Sequence, residues 1–194
     1  MVYFKVHTEY LQRGFSVIEL LVTIGIITLV TGVVLFEYSD FNSAVLLRSQ
    51  AYELALDIRE AQVYGVSVRG NSRGFDEEFG IYVDTAAPGR YIFFQDGSES
   101  PLLAEYNSGE EISSLLLDPR YHITSICINA CSTADEVDTL SISFKRPNYD
   151  ARMYATRGVN TFSTISSATV TIEPIVGTGA RTVSVYRTGQ VVID

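Results

Sequence analysis

The sequence predicts an α+β protein with a long N-terminal helix followed by a β-rich C-terminal head. Two patterns in its 194 residues lead to this prediction. The first is a helical pattern that runs without a proline from Phe15 to about Gly65, and its first 22 residues are almost wholly apolar. The second is a change to a period of two from about Phe79 onward, with turn-forming residues between short apolar runs.

The apolar run covers residues 15–36 and contains Glu19 as its only charged residue. In a helix, 22 residues at about 1.5 Å each reach roughly 33 Å, which is enough to cross a hydrocarbon core of about 30 Å. No other part of the sequence has an apolar stretch of similar length. We therefore predict a single membrane-spanning segment.

Basic residues precede the apolar run, which predicts its orientation. Lys5 and Arg13 come before it, whereas the first basic residue after it is Arg48. By the positive-inside bias, the N-terminus stays in the cytoplasm and the rest of the chain is exported. The run is longer than the apolar core of a secretory signal peptide, and no small-residue cleavage site follows it. A plain signal anchor would also have these features.

The exported part is strongly acidic. The formal net charge is −9, and because the first fourteen residues carry +1, the remainder carries −10. Phosphate contacts need clustered lysine and arginine, so this charge argues against general nucleic-acid binding. It favours solubility outside the membrane.

Behind the span, residues 37–65 are predicted to continue as an amphipathic helix. Apolar residues recur at spacings of three and four, and Gly65 is expected to end the helix. The whole helix over residues 15–64 would be roughly 75 Å long. A coiled coil is the alternative, but the stripe is short and half alanine, so we expect it to pack on the head. The stripe consists of Ala44, Leu47, Ala51, Leu54, Ile58 and Ala61.

Residues 66–194 are predicted to form the head. Turn-forming residues separate the apolar runs, and the last two runs, on either side of Arg187-Thr188-Gly189-Gln190, are typical of a closing hairpin. The predicted strands are residues 80–83, 91–95, 123–128, 140–144, 168–172, 182–186 and 190–193.

The two cysteines, Cys127 and Cys131, have no second pair and only His122 nearby as a further zinc ligand. Their spacing also differs from that of a CxxC redox motif. In an exported domain we expect them to close a small disulfide loop. Two unpaired buried thiols are the alternative.

The sequence offers few residues for catalysis, so we predict no enzyme activity, no cofactor and no metal site. His122 is the sole imidazole outside the first fourteen residues, and we expect it to be a structural strand residue, since no GxSxG-like nucleophile context exists. Two acidic clusters lack the ligand spacing of a calcium loop and are predicted to be solvated loops. They are Asp76-Glu77-Glu78 and Asp135-Glu136 with Asp138.

The residues at the start of the apolar run resemble the processing signature of type IV prepilins. A basic residue, a glycine, a phenylalanine and a glutamate four residues later stand here as Arg13-Gly14-Phe15 and Glu19. The resemblance implies that residues 1–14 are a leader and that prepilin peptidase cuts between Gly14 and Phe15. It also implies N-methylation of Phe15, and pairing of Glu19 with the Phe15 ammonium group of its own or a neighbouring subunit, which would set the register of assembly.

The junction between helix and head is similar to the minor pseudopilin H of type II secretion and to FimT-like minor pilins. The similar segments are LALDIREAQVYGVSVRG, FGIYVD, YIFFQDG and GQVVID. This resemblance implies a helix packed on a β-sandwich-like head. It also implies an inner-membrane protein that later joins an extracytoplasmic filament, with prepilin peptidase, the assembly platform, membrane lipid and other pilin or pseudopilin subunits as partners.

FimT-like pilins can bind DNA through a basic C-terminal tail, which this chain lacks because it ends in VVID. Four arginines could form a local basic patch, but nucleic-acid binding is not expected. They are Arg152, Arg157, Arg181 and Arg187. The alternatives to a structural subunit are a tip pilin acting in adhesion or DNA capture, and an extracytoplasmic enzyme held by a signal anchor.

Overall fold

The computed structural model describes residues 14–67, 77–97 and 104–194, and for residues 36–42 it describes the backbone alone. The leader residues Lys5 and Arg13 lie outside these ranges. The chain divides into two compact units, Met1–Phe41 and Asn42–Asp194, and each is considered by itself. The predicted boundaries at residues 14, 36 and 65 stay predictions.

Helix α1 has the bounds Val17–Val66. Its first part belongs to the first unit and contains Val17–Leu35, which is long and apolar enough to cross a membrane, with a mean hydropathy of 2.4. Its second part belongs to the head. The predicted length of roughly 75 Å stays a prediction, because the two parts lie in separate units.

The head contains eleven described strands in two antiparallel sheets, so the predicted α+β class is confirmed at this level. The six-stranded sheet has the order β3-β2-β1-β6-β7-β8, and the five-stranded sheet has the order β11-β10-β9-β4-β5. The strands are β1 (Glu78–Asp84), β2 (Arg90–Asp96), β3 (Glu111–Leu116), β4 (Tyr121–Ile128), β5 (Glu136–Val137), β6 (Thr139–Phe144), β7 (Ala151–Arg157), β8 (Asn160–Phe162), β9 (Ser167–Pro174), β10 (Arg181–Tyr186) and β11 (Val191–Ile193). A short 3₁₀ helix, Thr133–Asp135, precedes β5.

One hydrophobic core contains side chains from both sheets and from the second part of α1. Five of the six residues of the predicted stripe are buried, and only Ala44 is exposed. Ala55, which the stripe did not include, is buried too. The sheets contribute β-branched and aromatic side chains to the same core, as strand propensity leads one to expect. The largest fully buried strand side chains in this core are Tyr91, Phe144, Ile81, Ile123, Ile126, Leu140, Ile142 and Ile172.

Gly65 was predicted to end the helix, but α1 continues to Val66. The structure gives this glycine a different role. A Cβ atom at position 65 would lie 2.2 Å from the carbonyl oxygen of Phe144, which is too close for any side chain. The glycine therefore allows the helix backbone to approach the end of β6 directly.

Each of the seven predicted strands is found, and the closing hairpin is confirmed by the pairing of β10 with β11. Four strands were missed, namely β3, β5, β7 and β8. The most consequential is β7, which pairs with β6 from Ala151 to Thr156.

Candidate functional site

Gly14 and Phe15 lie just before the first turn of α1, in backbone that belongs to no helix or strand. Both are exposed, with Phe15 at 82% of its full accessible surface. A Cβ atom on Gly14 would meet nothing within 4 Å, so packing in the described chain does not require a glycine there. The first helical hydrogen bond runs from the Leu20 N–H to the Ser16 carbonyl at 3.2 Å. The Gly14–Phe15 peptide bond is thus outside the helix and accessible from solvent.

Glu19 lies in the first turn of α1, where a carboxylate is favoured by the unpaired N–H groups of the helix N-terminus. It is exposed, like the apolar residues around it. Phe15 precedes Glu19 by only four residues and lies two residues before the helix begins. An amine created at Phe15 by cleavage would therefore be within reach of this carboxylate.

The Val17–Leu35 segment presents apolar side chains on all sides, and none of it is buried in the chain itself. Two of its three threonine hydroxyls form hydrogen bonds within the helix. Thr23 donates to the Leu20 carbonyl at 2.9 Å, and Thr28 donates to the Ile24 carbonyl at 2.8 Å. A hydroxyl bonded to its own helix can face hydrocarbon at little cost. The segment therefore suits a membrane or a bundle of apolar helices.

Cys127 and Cys131 lie at disulfide-bonding distance, with their Cα atoms 5.1 Å apart, at the end of β4. The tight loop needs two residues in the left-handed region, Asn129 with φ of 56° and Cys131 with φ of 53°. Asn129 suits this conformation, and its side-chain oxygen accepts hydrogen bonds from the N–H and hydroxyl of Ser166, both at 2.9 Å. The loop is thereby tied to the start of β9.

His122 lies in β4, as predicted, opposite Glu173 of β9. Its Nδ1 atom is buried and has no hydrogen-bond partner among the described residues. Within the ranges that the structure describes, no group of three or more His, Cys, Asp and Glu residues could hold a metal ion. Of the acidic clusters, Asp135 accepts hydrogen bonds from the N–H and hydroxyl of Ser132, and Asp138 accepts one from the Gly158 N–H.

The prediction that Glu78 belongs to a solvated acidic loop is wrong. Glu78 is the first residue of β1, its side chain is 6% exposed, and it forms an ion pair with Arg152 of β7. Ser143 donates a hydrogen bond to it at 2.8 Å, and the Lys145 ammonium lies at 3.9 Å. A buried carboxylate needs such partners, so Glu78 is part of the folded sheet.

The four arginines proposed as a basic patch are divided among different surroundings. Arg152 binds Glu78, and Arg157 donates to the Ala134 carbonyl. Arg152 and Arg187 do line a common cavity of about 350 Å³, together with Lys145 and Asp150. With Glu78 bound to Arg152 and Asp150 in the lining, these three basic side chains and two carboxylates leave a net charge of +1 there.

Sequence reasoning missed a polar contact that ties α1 to the head. The Tyr91 hydroxyl of β2 donates a 2.5 Å hydrogen bond to the Asp57 carboxylate. Burial raises the pKa of Asp57 above its ordinary value of 3.8, the Tyr91 hydrogen bond opposes this, and neighbouring Glu53 and Glu60 add to it. Burial and the carboxylate together raise the pKa of Tyr91. The only sequence signal was that position 57 borders the stripe between Leu54 and Ile58.

Comparison of the chain with family models, with curated proteins and with solved structures found no match. The interpretation of the Gly14–Phe15 junction therefore depends on the residues of this chain.

Proposed function

We propose that this chain is a non-enzymatic, minor subunit of a type IV pilus or a type II secretion pseudopilus. The observation that carries the proposal is the position of Glu19, five residues after Gly14 and inside an otherwise uncharged apolar helix. A charged residue inside a membrane span costs on the order of 2–3 kcal/mol near the centre and less towards an end, where Glu19 lies, and such a residue is a functional hypothesis by default. Processing between Gly14 and Phe15 supplies such a function, because it creates a positive charge four residues from Glu19.

The local geometry supports cleavage at this bond. A protease binds its substrate outside regular helix, and Gly14 and Phe15 are exposed and precede the start of α1. Because packing does not require the glycine, its small size is available for a narrow protease cleft. Prepilin peptidase would cut here on the cytoplasmic side, and it would methylate the new amine of Phe15.

In the assembled filament, Glu19 pairs with the N-terminal ammonium of its own or a neighbouring subunit. Removing one partner from such a pair leaves a buried charge, at a cost of about 3–5 kcal/mol, so only a register that pairs both charges is stable. The all-round apolar surface of Val17–Leu35 then packs against equivalent helices in place of lipid.

The finer structural features fit the same proposal. The chain first resides in the inner membrane with its N-terminus in the cytoplasm, and the platform and other pilin or pseudopilin subunits then draw it into the filament. One continuous helix carries a sandwich-like head outside the membrane. The Cys127–Cys131 pair closes as a disulfide in that oxidising compartment.

Two alternatives remain distinct from this proposal. A tip pilin acting in adhesion or DNA capture would share the processing but would also bind a surface or DNA, and its loss would abolish attachment or uptake while filaments persist. A signal-anchored extracytoplasmic enzyme would keep its N-terminus uncut and would tolerate replacement of Glu19.

The deciding experiment is mass spectrometry of the N-terminus of the chain purified from cells that produce prepilin peptidase. We expect a chain that begins at methylated Phe15, and we expect Gly14→Val to leave the precursor uncut because its side chain would block the cleft. Met1 or an unmethylated internal residue at the mature N-terminus of the unsubstituted chain would exclude the proposal.

A second measurement separates processing from assembly. Glu19→Ala is expected to be cut normally and yet to be absent from sheared filaments, because the Phe15 ammonium loses its partner. Glu60→Ala, which removes an exposed carboxylate from the second part of α1, is the matched control and should assemble. Normal incorporation of Glu19→Ala would remove the register argument.

A further inference from the structure

An apolar hollow of about 280 Å³ lies beside the first described side chain of the head. It is formed where Ser43 of α1 meets the turn before β4 and the loop after β9. The Tyr121 hydroxyl donates a 2.9 Å hydrogen bond to the Ser43 carbonyl and thereby fixes this corner. The lining residues are Ser43, Pro119, Arg120, Tyr121, Pro174, Ile175 and Val176.

The β9–β10 loop, residues 175–180, exposes two large apolar side chains at this hollow. Ile175 is 61% exposed and Val176 is 87% exposed. The base of the loop is held in place, because the Ile175 N–H donates to the Arg120 carbonyl at 2.8 Å. The loop thus holds two apolar side chains in a fixed position on the surface. Exposed apolar side chains of this kind are unfavourable in water and are typical of an interaction site.

The charge around the loop also differs from that of the whole chain. Its sequence, IVGTGA, contains no charged residue, although the chain has a formal net charge of −9. Arg181 follows the loop directly, and the nearby Asp118 is paired with Arg120 at 2.7 Å. An anionic surface approaching this corner would meet no uncompensated carboxylate on the loop or on the adjoining turn.

Ser43, at the corner beside the loop, is close in sequence to the membrane-spanning segment. Residues 36–42 join Leu35 to Ser43, and eight residue steps span at most about 28 Å even when fully extended. The corner that contains Ser43 is therefore the part of the described head that the chain tethers nearest to the bilayer. No covalent link of this kind holds a second copy of the chain near the same corner, so the bilayer is the surface that the loop meets first.

We propose that the β9–β10 loop is a membrane-contact loop, which inserts Ile175 and Val176 into the interface of the bilayer that Val17–Leu35 crosses. Apolar side chains of interfacial elements reach about 5–10 Å into the boundary between headgroups and acyl chains. The contact rests on membrane insertion of the apolar segment and does not depend on cleavage at Gly14 or on filament assembly. It would hold the head against the membrane surface before the subunit is used.

The test places a fluorescent label on the full chain inserted into phosphatidylethanolamine–phosphatidylglycerol vesicles, with nitroxide quenchers in the upper acyl region. Val176→Cys carries the label at the loop. Tyr149→Cys is the control, since Tyr149 is also exposed, at 63%, and its carbonyl accepts a hydrogen bond from Gln62. Gln62 follows Ser43 by 19 helical residues, or about 28 Å along the axis. The unsubstituted chain reports any labelling of Cys127 and Cys131.

We expect a blue-shifted emission and strong quenching at position 176, and neither at position 149. Adding Ile175→Ser to the Val176→Cys chain should reduce the quenching. Protease protection first establishes that the span is inserted; an inserted chain with no quenching at position 176 would overturn the proposal. So would a cross-link from position 176 to a second copy in the absence of quenching. Because the uncut Gly14→Val chain should give the same quenching, failure of processing would leave this result unchanged.

Discussion

The two parts of helix α1 differ in how their apolar residues are arranged and in what those residues contact. Val17–Leu35 is apolar on every side and contributes nothing to the core of the head. The second part is apolar along one stripe only, and that stripe lies in the core between polar flanks. The first part has a mean hydropathy of 2.4, and its apolar side chains can leave water only by entering an external apolar medium. The apolar stripe of the second part is buried by the head itself.

This difference means that the two parts have separate requirements. Substitutions in the first should alter insertion or assembly and leave the stability of the head intact. Substitutions along the stripe of the second should destabilise the head and affect assembly only through misfolding. Two matched pairs of variants test whether the requirements separate in this way, and a third pair compares two carboxylates within the head.

The largest effect is expected from removing a stripe leucine. Leu54 is fully buried, so Leu54→Ala should lower the free energy of unfolding of the head by about 2–5 kcal/mol through lost burial and a residual cavity. Leu29 is 69% exposed in the apolar segment, so Leu29→Ala should change it by less than about 0.5 kcal/mol. Urea unfolding in detergent micelles, followed by the near-ultraviolet circular dichroism of the tyrosines, gives both values. Equal losses would show that the parts are not energetically separate.

A smaller difference is expected between two glycines of the same helix. Gly65→Ala places a Cβ atom against the Phe144 carbonyl, and overpacking of this kind costs about 1–3 kcal/mol. Gly25→Ala meets nothing within 4 Å and should leave the unfolding of the head unchanged, while adding helix propensity of about 0.5–1 kcal/mol locally. The same urea experiment measures both. A stable Gly65→Ala head would mean that the close approach to β6 is dispensable.

The elements that the sequence predicted are those whose burial follows a regular period. Strand β6 alternates between Leu140, Ile142 and Phe144 in the core and serines on the other face, and it was found within one residue. The edge strand β3 has almost no buried side chain, so it has no alternation to detect. Strand β7 alternates correctly, but two of its three core residues are the small Ala151 and Ala155, which weakens the pattern.

Contacts between elements could not be predicted, because they depend on register. Glu78 meets Arg152 across β6, which separates their strands, and a shift of one residue would turn either side chain to the opposite face. The hydrogen bond between Asp57 and Tyr91 likewise joins a helix to a strand. By contrast, the Gly14–Phe15 signature and Glu19 lie within six consecutive residues, so a local motif was sufficient to propose that site.

The smallest effect concerns the carboxylate that joins the second part of α1 to the head. The pKa of Asp57 is raised, so its contribution to stability is fully present below its unfolded value of about 3.8 and is lost as the pH rises through the higher folded value. The advantage of the native chain over Asp57→Asn should therefore shrink as the pH increases. Asp118 is the matched control, because its hydrogen bonds from Arg120 lower its pKa to about 2. The advantage over Asp118→Asn should instead grow as the pH rises from 2 to 5. Urea titrations across this range should give slopes of opposite sign, and slopes of the same sign would mean that burial does not dominate at Asp57.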